Sequence, residues 1–206
     1  MPKPLTFDPH PGLAMVQAWI SSLKSKTGRS LDEWLSLARK SGPKDEPSLR
    51  AWFKSAHNLP TNSAWWLAER TFGKGTGEDS PEAYLASAAR YVNDQYSAKR
   101  APLRPIFDAL YHLSRSLGKD VRICPAKTIV PIYRRHVIAQ IKPSTNTRVD
   151  FGLCLTTYKG KLPKRLVDTG GLAKKDRITH RFELTTPAQV DPDVARYLKL
   201  AYDLDT

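Results

Sequence analysis

Apolar residues recur every three to four positions up to Gly118 and every second position after it. One such switch predicts helices followed by a sheet. On the helical side, Ala14, Ala18, Trp19 and Leu23 form a stripe that stops at Gly28. Ser30 and Glu33, three residues apart, form a capping box ahead of Leu31, Trp34, Leu35 and Ala38, and Gly42-Pro43 closes that helix. Pro47 suits the first turn of a third helix with Leu49, Trp52 and Phe53 inward. Thr61 or Asn62 caps a fourth, reaching about Phe72. Gly73, Gly75 and Gly77, with Glu78 and Asp79, break the pattern. A connecting helix over about 83–96, a hinge at 97–101 and a helix over about 103–117 complete this half.

After Gly118, strands are predicted at 121–124, 129–133, 137–141, 148–155 and 180–184. Pro131 has no N–H for the ladder, so its strand is expected at an edge or with a bulge. Residues 156–178 read as one long loop, and Asp191-Pro192 caps a closing helix. The predicted fold class is α+β: an N-terminal all-α helical domain, then a small antiparallel sheet flanked by helices. The expected boundaries are 8–75 for a Trp-rich helical domain, 76–101 for a connecting helix and hinge, and 102–206 for a basic α+β domain.

The charge is two-part as well. The 206 residues hold 33 Lys+Arg against 20 Asp+Glu, a net of +13. Residues 119–181 alone hold 15 against 4, a net of +11, whereas residues 1–97 carry only +2. All five tryptophans lie in the first third. Two cysteines are too few for a disulfide framework or an all-Cys zinc site. No apolar run approaches the ~20 residues that span a bilayer, and the first residues lack the apolar core of a signal peptide. A cytoplasmic protein without a membrane partner is expected.

The runs SLDEWLSLARKSGP and LRAWFKSAHNLPTNSAWWLAER resemble the small helical bacterial family called domain of unknown function 4287. The runs KTIVPIYRRHVIAQIKPSTNTRVDFGL and RLVDTGGLAKKDRITHRFEL resemble domain of unknown function 5655. The resemblance implies two domains fused in this order. It implies no activity, catalytic residue or cofactor.

Two basic loops define the expected site. KPSTNTR (142–148) sets two cations around Thr145 and Asn146, and DTGGLAKKDR (168–177) joins Gly170-Gly171 to three cations. Hydroxyls, backbone N–H groups of a glycine-containing turn, and Lys or Arg are the parts of a phosphate or carboxylate site. The predicted anion-binding set is Lys127, Arg134, Lys142, Thr145, Asn146, Arg148, Lys174, Lys175, Arg177 and His180. Nucleic acid is the favoured partner, held by electrostatics because this half lacks interleaved aromatics. Set against that are a merely solvated face and two ordinary hairpin turns.

One alternative is an enzyme acting on a phosphorylated or carboxylated small molecule, with His180 or His136 moving a proton and Asp150 as a candidate partner. Another is an adaptor, because Trp65 and Trp66 stand ~100° apart on their helix and need a partner layer. The 47–72 segment has a helix-turn-helix outline, but Ala64, Trp65, Trp66, Leu67 and Ala68 suit a core or a protein-binding face better than a base-reading one. Asp168-Thr169-Gly170 looks like an aspartic-protease loop, yet one copy reads better as a tight turn. No histidine spacing suits a metal, and Cys124 and Cys154 read as inert strand thiols. Arg148, His180 and Lys127 are expected on one sheet face, unless Phe182 and Leu184 draw His180 into the core.

Overall fold

The computed structural model describes residues 5–74 and 79–206, and the chain divides into two compact units. One comprises His10–Tyr84; the other comprises Met1–Pro9 with Leu85–Thr206.

The helical unit holds α1 (Leu13–Thr27), α2 (Leu31–Ser41), α3 (Glu46–Ser55) and α4 (Thr61–Thr71). Gly28 ends α1 at φ 81°, a left-handed conformation that favours glycine. Ser30 and Glu33 close the capping box on α2, with the Glu33 N–H donating to Ser30 Oγ and the Ser30 N–H donating to Glu33. Asp45 caps α3 ahead of Pro47. Pro60, rather than Thr61 or Asn62, occupies the cap position of α4, with no side-chain bond. Trp34, Leu49, Phe53 and Leu67 fill the core, and Trp34 Nε1 donates to Thr27 Oγ1 at 2.8 Å. The polar edge of the indole is thereby satisfied.

After α5 (Pro81–Gln95) and a 3-10 turn at Ala98–Leu103 comes α6 (Arg104–Arg115). Six strands follow: β1 (Arg122–Ile123), β2 (Val130–Tyr133), β3 (Val137–Pro143), β4 (Val149–Leu153), β5 (Val167–Asp168) and β6 (His180–Leu184). α7 (Pro192–Leu204) closes the chain behind an Asp191 cap. The antiparallel sheet runs β1-β2-β3-β4-β6-β5. The α+β class is therefore as the periodicity indicates. Of the two expectations for the Pro131 strand, the bulge is the one found: β2 lies inside the sheet and is bulged between Ile132 and Tyr133. One local feature differs. The long loop contains β5, a strand of two residues that is too short to show a period.

One sheet face is the core. Ile141, Phe151, Leu153, Phe182 and Leu184 are fully buried with Ile106 and Phe107 of α6 and Val194 and Leu198 of α7. Each such side chain contributes roughly 1.5–3 kcal/mol through burial. The N-terminal segment belongs here too. The Asp8 N–H donates to Ile123 O at 3.0 Å, Asp8 Oδ2 accepts from the Ile123 N–H at 2.7 Å, and Leu5 and Phe7 pack on this core.

Candidate anion-binding site

The face of β4 opposite the core is polar because the strand period is two. Arg148 immediately precedes the strand, which itself carries Asp150 and Gly152 on that face. The register sets Asp150 opposite Glu183 and Gly152 opposite Arg181 on β6, and Lys142 opposite Asp150 on β3. These side chains form a network. Arg148 Nε lies 2.8 Å from Asp150 Oδ1, and Arg148 Nη1 lies 3.2 Å from Glu183 Oε2. Arg181 Nη2 lies 2.7 Å from Glu183 Oε1. Ser144 Oγ donates to Asp150 Oδ2 at 2.7 Å.

The 169–178 loop folds over this face, and two glycines permit it. A Cβ on Gly152 would sit 2.5 Å from Ile178 Cγ2, and one on Gly171 would sit 2.2 Å from Ile178 O. Thr169 Oγ1 donates to Ile178 O at 2.8 Å, and the Asp176 N–H donates to Gly171 O at 2.8 Å, which fix the turn. Between loop and sheet lies an open cavity of about 170 Å³, lined by Gln140, Lys142, Asp150, Lys174, Asp176 and Arg181 among others.

The ten predicted residues separate into several places. Lys142 and Lys174 share this cavity, with Arg148 in the adjoining network. Lys175 and Arg177 line a different cavity, beside the C-terminal end of α7. Thr145 and Asn146 lie at the exposed β3–β4 hairpin tip, where Thr145 Oγ1 accepts from the Thr147 N–H at 3.1 Å. That is turn chemistry. Lys127 is exposed in the β1–β2 connection, two strands from β4 in the sheet order. Arg134 is a clamp: its Nε lies 3.0 Å from Asp120 Oδ2, and its Nη1 donates to the carbonyls of Tyr202 and Asp205, each at 3.1 Å.

His180 is on the other face. It pairs with Leu153 and shares its side of β6 with the fully buried Phe182 and Leu184. The two apolar residues set the parity of the strand, so Arg148, His180 and Lys127 do not form one cleft. His180 Nδ1 lies 3.0 Å from Thr179 Oγ1.

The partner of His136 is Asp205, not Asp150. His136 Nδ1 lies 2.9 Å from Asp205 Oδ1, while Asp205 Oδ2 accepts from the Arg135 and His136 N–H groups at 2.8 and 2.9 Å. Arg177 Nη2 adds a contact at 3.3 Å. Burial pushes the Asp205 carboxyl up, but the hydrogen bonds from His136 and Arg135 outweigh it and leave its pKa lowered. No local sequence signal marks Asp205, which meets His136 across 69 residues.

The remaining motifs resolve simply. Asp168 Oδ1 accepts from the Gly170 N–H at 2.7 Å, and Gly170 has φ 67°, as a tight turn requires. Trp66 meets Trp19 edge-on at 4.9 Å, whereas Trp65 is exposed beneath the Arg50 guanidinium. Among the described residues, no group of three His, Cys, Asp or Glu side chains could hold a metal. Nor is any described helix long and apolar enough to cross a membrane.

A helical unit followed by a basic unit built on an antiparallel sheet is the class that these features define. Residues 92–205 match the family model described as Domain of unknown function (DUF5655), and residues 15–71 match Domain of unknown function (DUF4287). The first match spans more than half of the chain, which belongs to that family. No curated protein and no solved structure matches it.

Proposed function

We propose that the basic C-terminal unit binds an anionic ligand, with nucleic acid as the class. One observation carries this reading: within 119–181, five of the seven arginines pair with carboxylates and all eight lysines are left free of ion pairs among the described residues. Arg134, Arg148, Arg165, Arg177 and Arg181 all pair with carboxylates. The eight lysines of 119–181 (Lys119, Lys127, Lys142, Lys159, Lys161, Lys164, Lys174 and Lys175) are exposed, and none forms an ion pair among the described residues. Guanidiniums suit bidentate, partly buried pairing, and free ammoniums suit contacts to phosphates. Lysines this dispersed favour a long polyanion over a single enclosed metabolite. Lys142 and Lys174, which share a cavity, mark its centre.

Anisotropy titration of the full chain with labelled single-stranded DNA and RNA tests the reading. Affinity is expected to fall with added salt, with a log–log slope of about −3 to −6 for four to eight neutralised phosphates. Absent binding at low salt, or binding indifferent to salt, contradicts it and leaves the lysines as a solvated surface.

A further inference from the structure

The 171–177 turn is a wall shared by two cavities. Lys174 faces the open side of the sheet, Lys175 lines the other cavity, and Asp176 borders both. The second cavity, about 390 Å³, lies between this turn, the chain after β4 and the C-terminal end of α7. Its volume is at the small end of the ~300–1,000 Å³ typical of ligand pockets.

Two chemistries meet in it. Leu172, Ala201 and Leu204 supply apolar lining, and Leu172, 63% exposed, leaves most of its surface open to the cavity mouth and solvent. Lys175 and Arg177 supply positive charge; the lining carboxylates are already engaged, Asp176 accepting from the Ile178 N–H and Asp205 from Arg177, His136 and two backbone N–H groups. Lys175 has φ 57°, an uncommon conformation for a side chain with a Cβ, held by its N–H donating to Leu172 O at 3.2 Å. It forms no ion pair among the described residues. Arg177 is partly committed, through Nη2 to Asp205 Oδ1 at 3.3 Å and Nε to Val137 O at 3.3 Å, and its Nη1 has no partner among the described residues.

We infer that this cavity binds a small organic monoanion with an apolar body, of the medium-chain carboxylate kind. Its carboxylate lies against Lys175 and Arg177, and its chain covers Leu172 and Leu204. Inorganic phosphate offers nothing to the apolar lining, and an alkanol offers the two cations a neutral acceptor but no charge. Lys175 also belongs to the eight free lysines of the nucleic-acid reading, but Lys142 and Lys174, at the centre of that surface, do not line this cavity, so variants at those two positions separate the two sites.

Cys154 lines the same cavity and serves as a reporter. The other thiol, Cys124, is fully buried and pushed up to about 12 by that burial, so an alkylating reagent reads Cys154. The experiment measures iodoacetamide alkylation of the full chain against increasing octanoate. Octanoate is expected to slow alkylation of Cys154 saturably, by about fivefold or more, with acetate, 1-octanol and inorganic phosphate each changing it less than about twofold. Lys175→Ala and Leu172→Ser, both at exposed positions, are each expected to raise the half-protecting octanoate concentration about tenfold. Lys142→Ala and Lys174→Ala should leave it unchanged. The inference is overturned by an absence of saturable protection, by equal protection from 1-octanol or phosphate, or by protection that neither cavity variant alters.

Discussion

Reversing two charges, Lys142→Glu with Lys174→Glu, is expected to weaken single-stranded DNA binding about 100-fold at low salt. The two ammoniums line one cavity on the open sheet face, so both act on the same stretch of phosphates. Each reversal removes an attraction and adds a repulsion where Asp150 and Asp176 already stand, and Arg181 cannot compensate while it holds Glu183. Both side chains are exposed and form no ion pair among the described residues, so the melting temperature should hold. Reversing Lys24 and Lys26, on α1 of the helical unit, is the control and should leave affinity within about twofold, because nothing in the reading uses them. Affinity equally reduced by both pairs would mean that only net charge matters.

Asp205→Ala should give the largest loss of stability from a single surface-adjacent residue, about 3 kcal/mol by denaturant unfolding. The side chain is only 5% exposed and joins the end of α7 to the turn before β3. Its removal orphans two backbone N–H donors, frees His136 and leaves Arg177 without its carboxylate. The effect depends on pH with a definite sign. Because the folded pKa is lowered, the contribution is complete above the ordinary carboxylate value of about 3.9 and is lost as the pH falls through the lower folded value. The difference between wild type and variant should therefore be constant near neutrality and close at acid pH. A difference that grows on acidification would contradict this account of the latch.

How much of this was legible in the residues differs between fold and site. The capping box at Ser30 and Glu33 and the cap at Asp191 are local signals, and local hydrogen bonds satisfy them. The change of period at Gly118 located the sheet because one of its faces is buried. Pro131 left an edge strand and a bulge open because sequence carries no strand order; the strand is interior and carries a bulge between Ile132 and Tyr133. The Lys142–Lys174 cavity was foreshadowed by the two basic loops. The face of His180 was undecided, because the polar histidine and the apolar Phe182 and Leu184 compete for one parity. The pairing of arginines with Asp150, Glu183 and Asp205 depends on cross-strand register and on contacts tens of residues apart, which no spacing rule reports. Hence Arg134 and Arg177, cations by composition, are fasteners in the fold.

Lysine footprinting tests the central claim most directly. The full chain is acetylated briefly with and without saturating single-stranded DNA at low salt, and each lysine is read by mass spectrometry. Protection is predicted to be greatest at Lys142 and Lys174, present at other lysines of 119–181, and absent at Lys24, Lys26 and Lys40. Uniform modification of all lysines with bound DNA present, or protection confined to the helical unit, would contradict the assignment of the anion surface to the open face of the sheet.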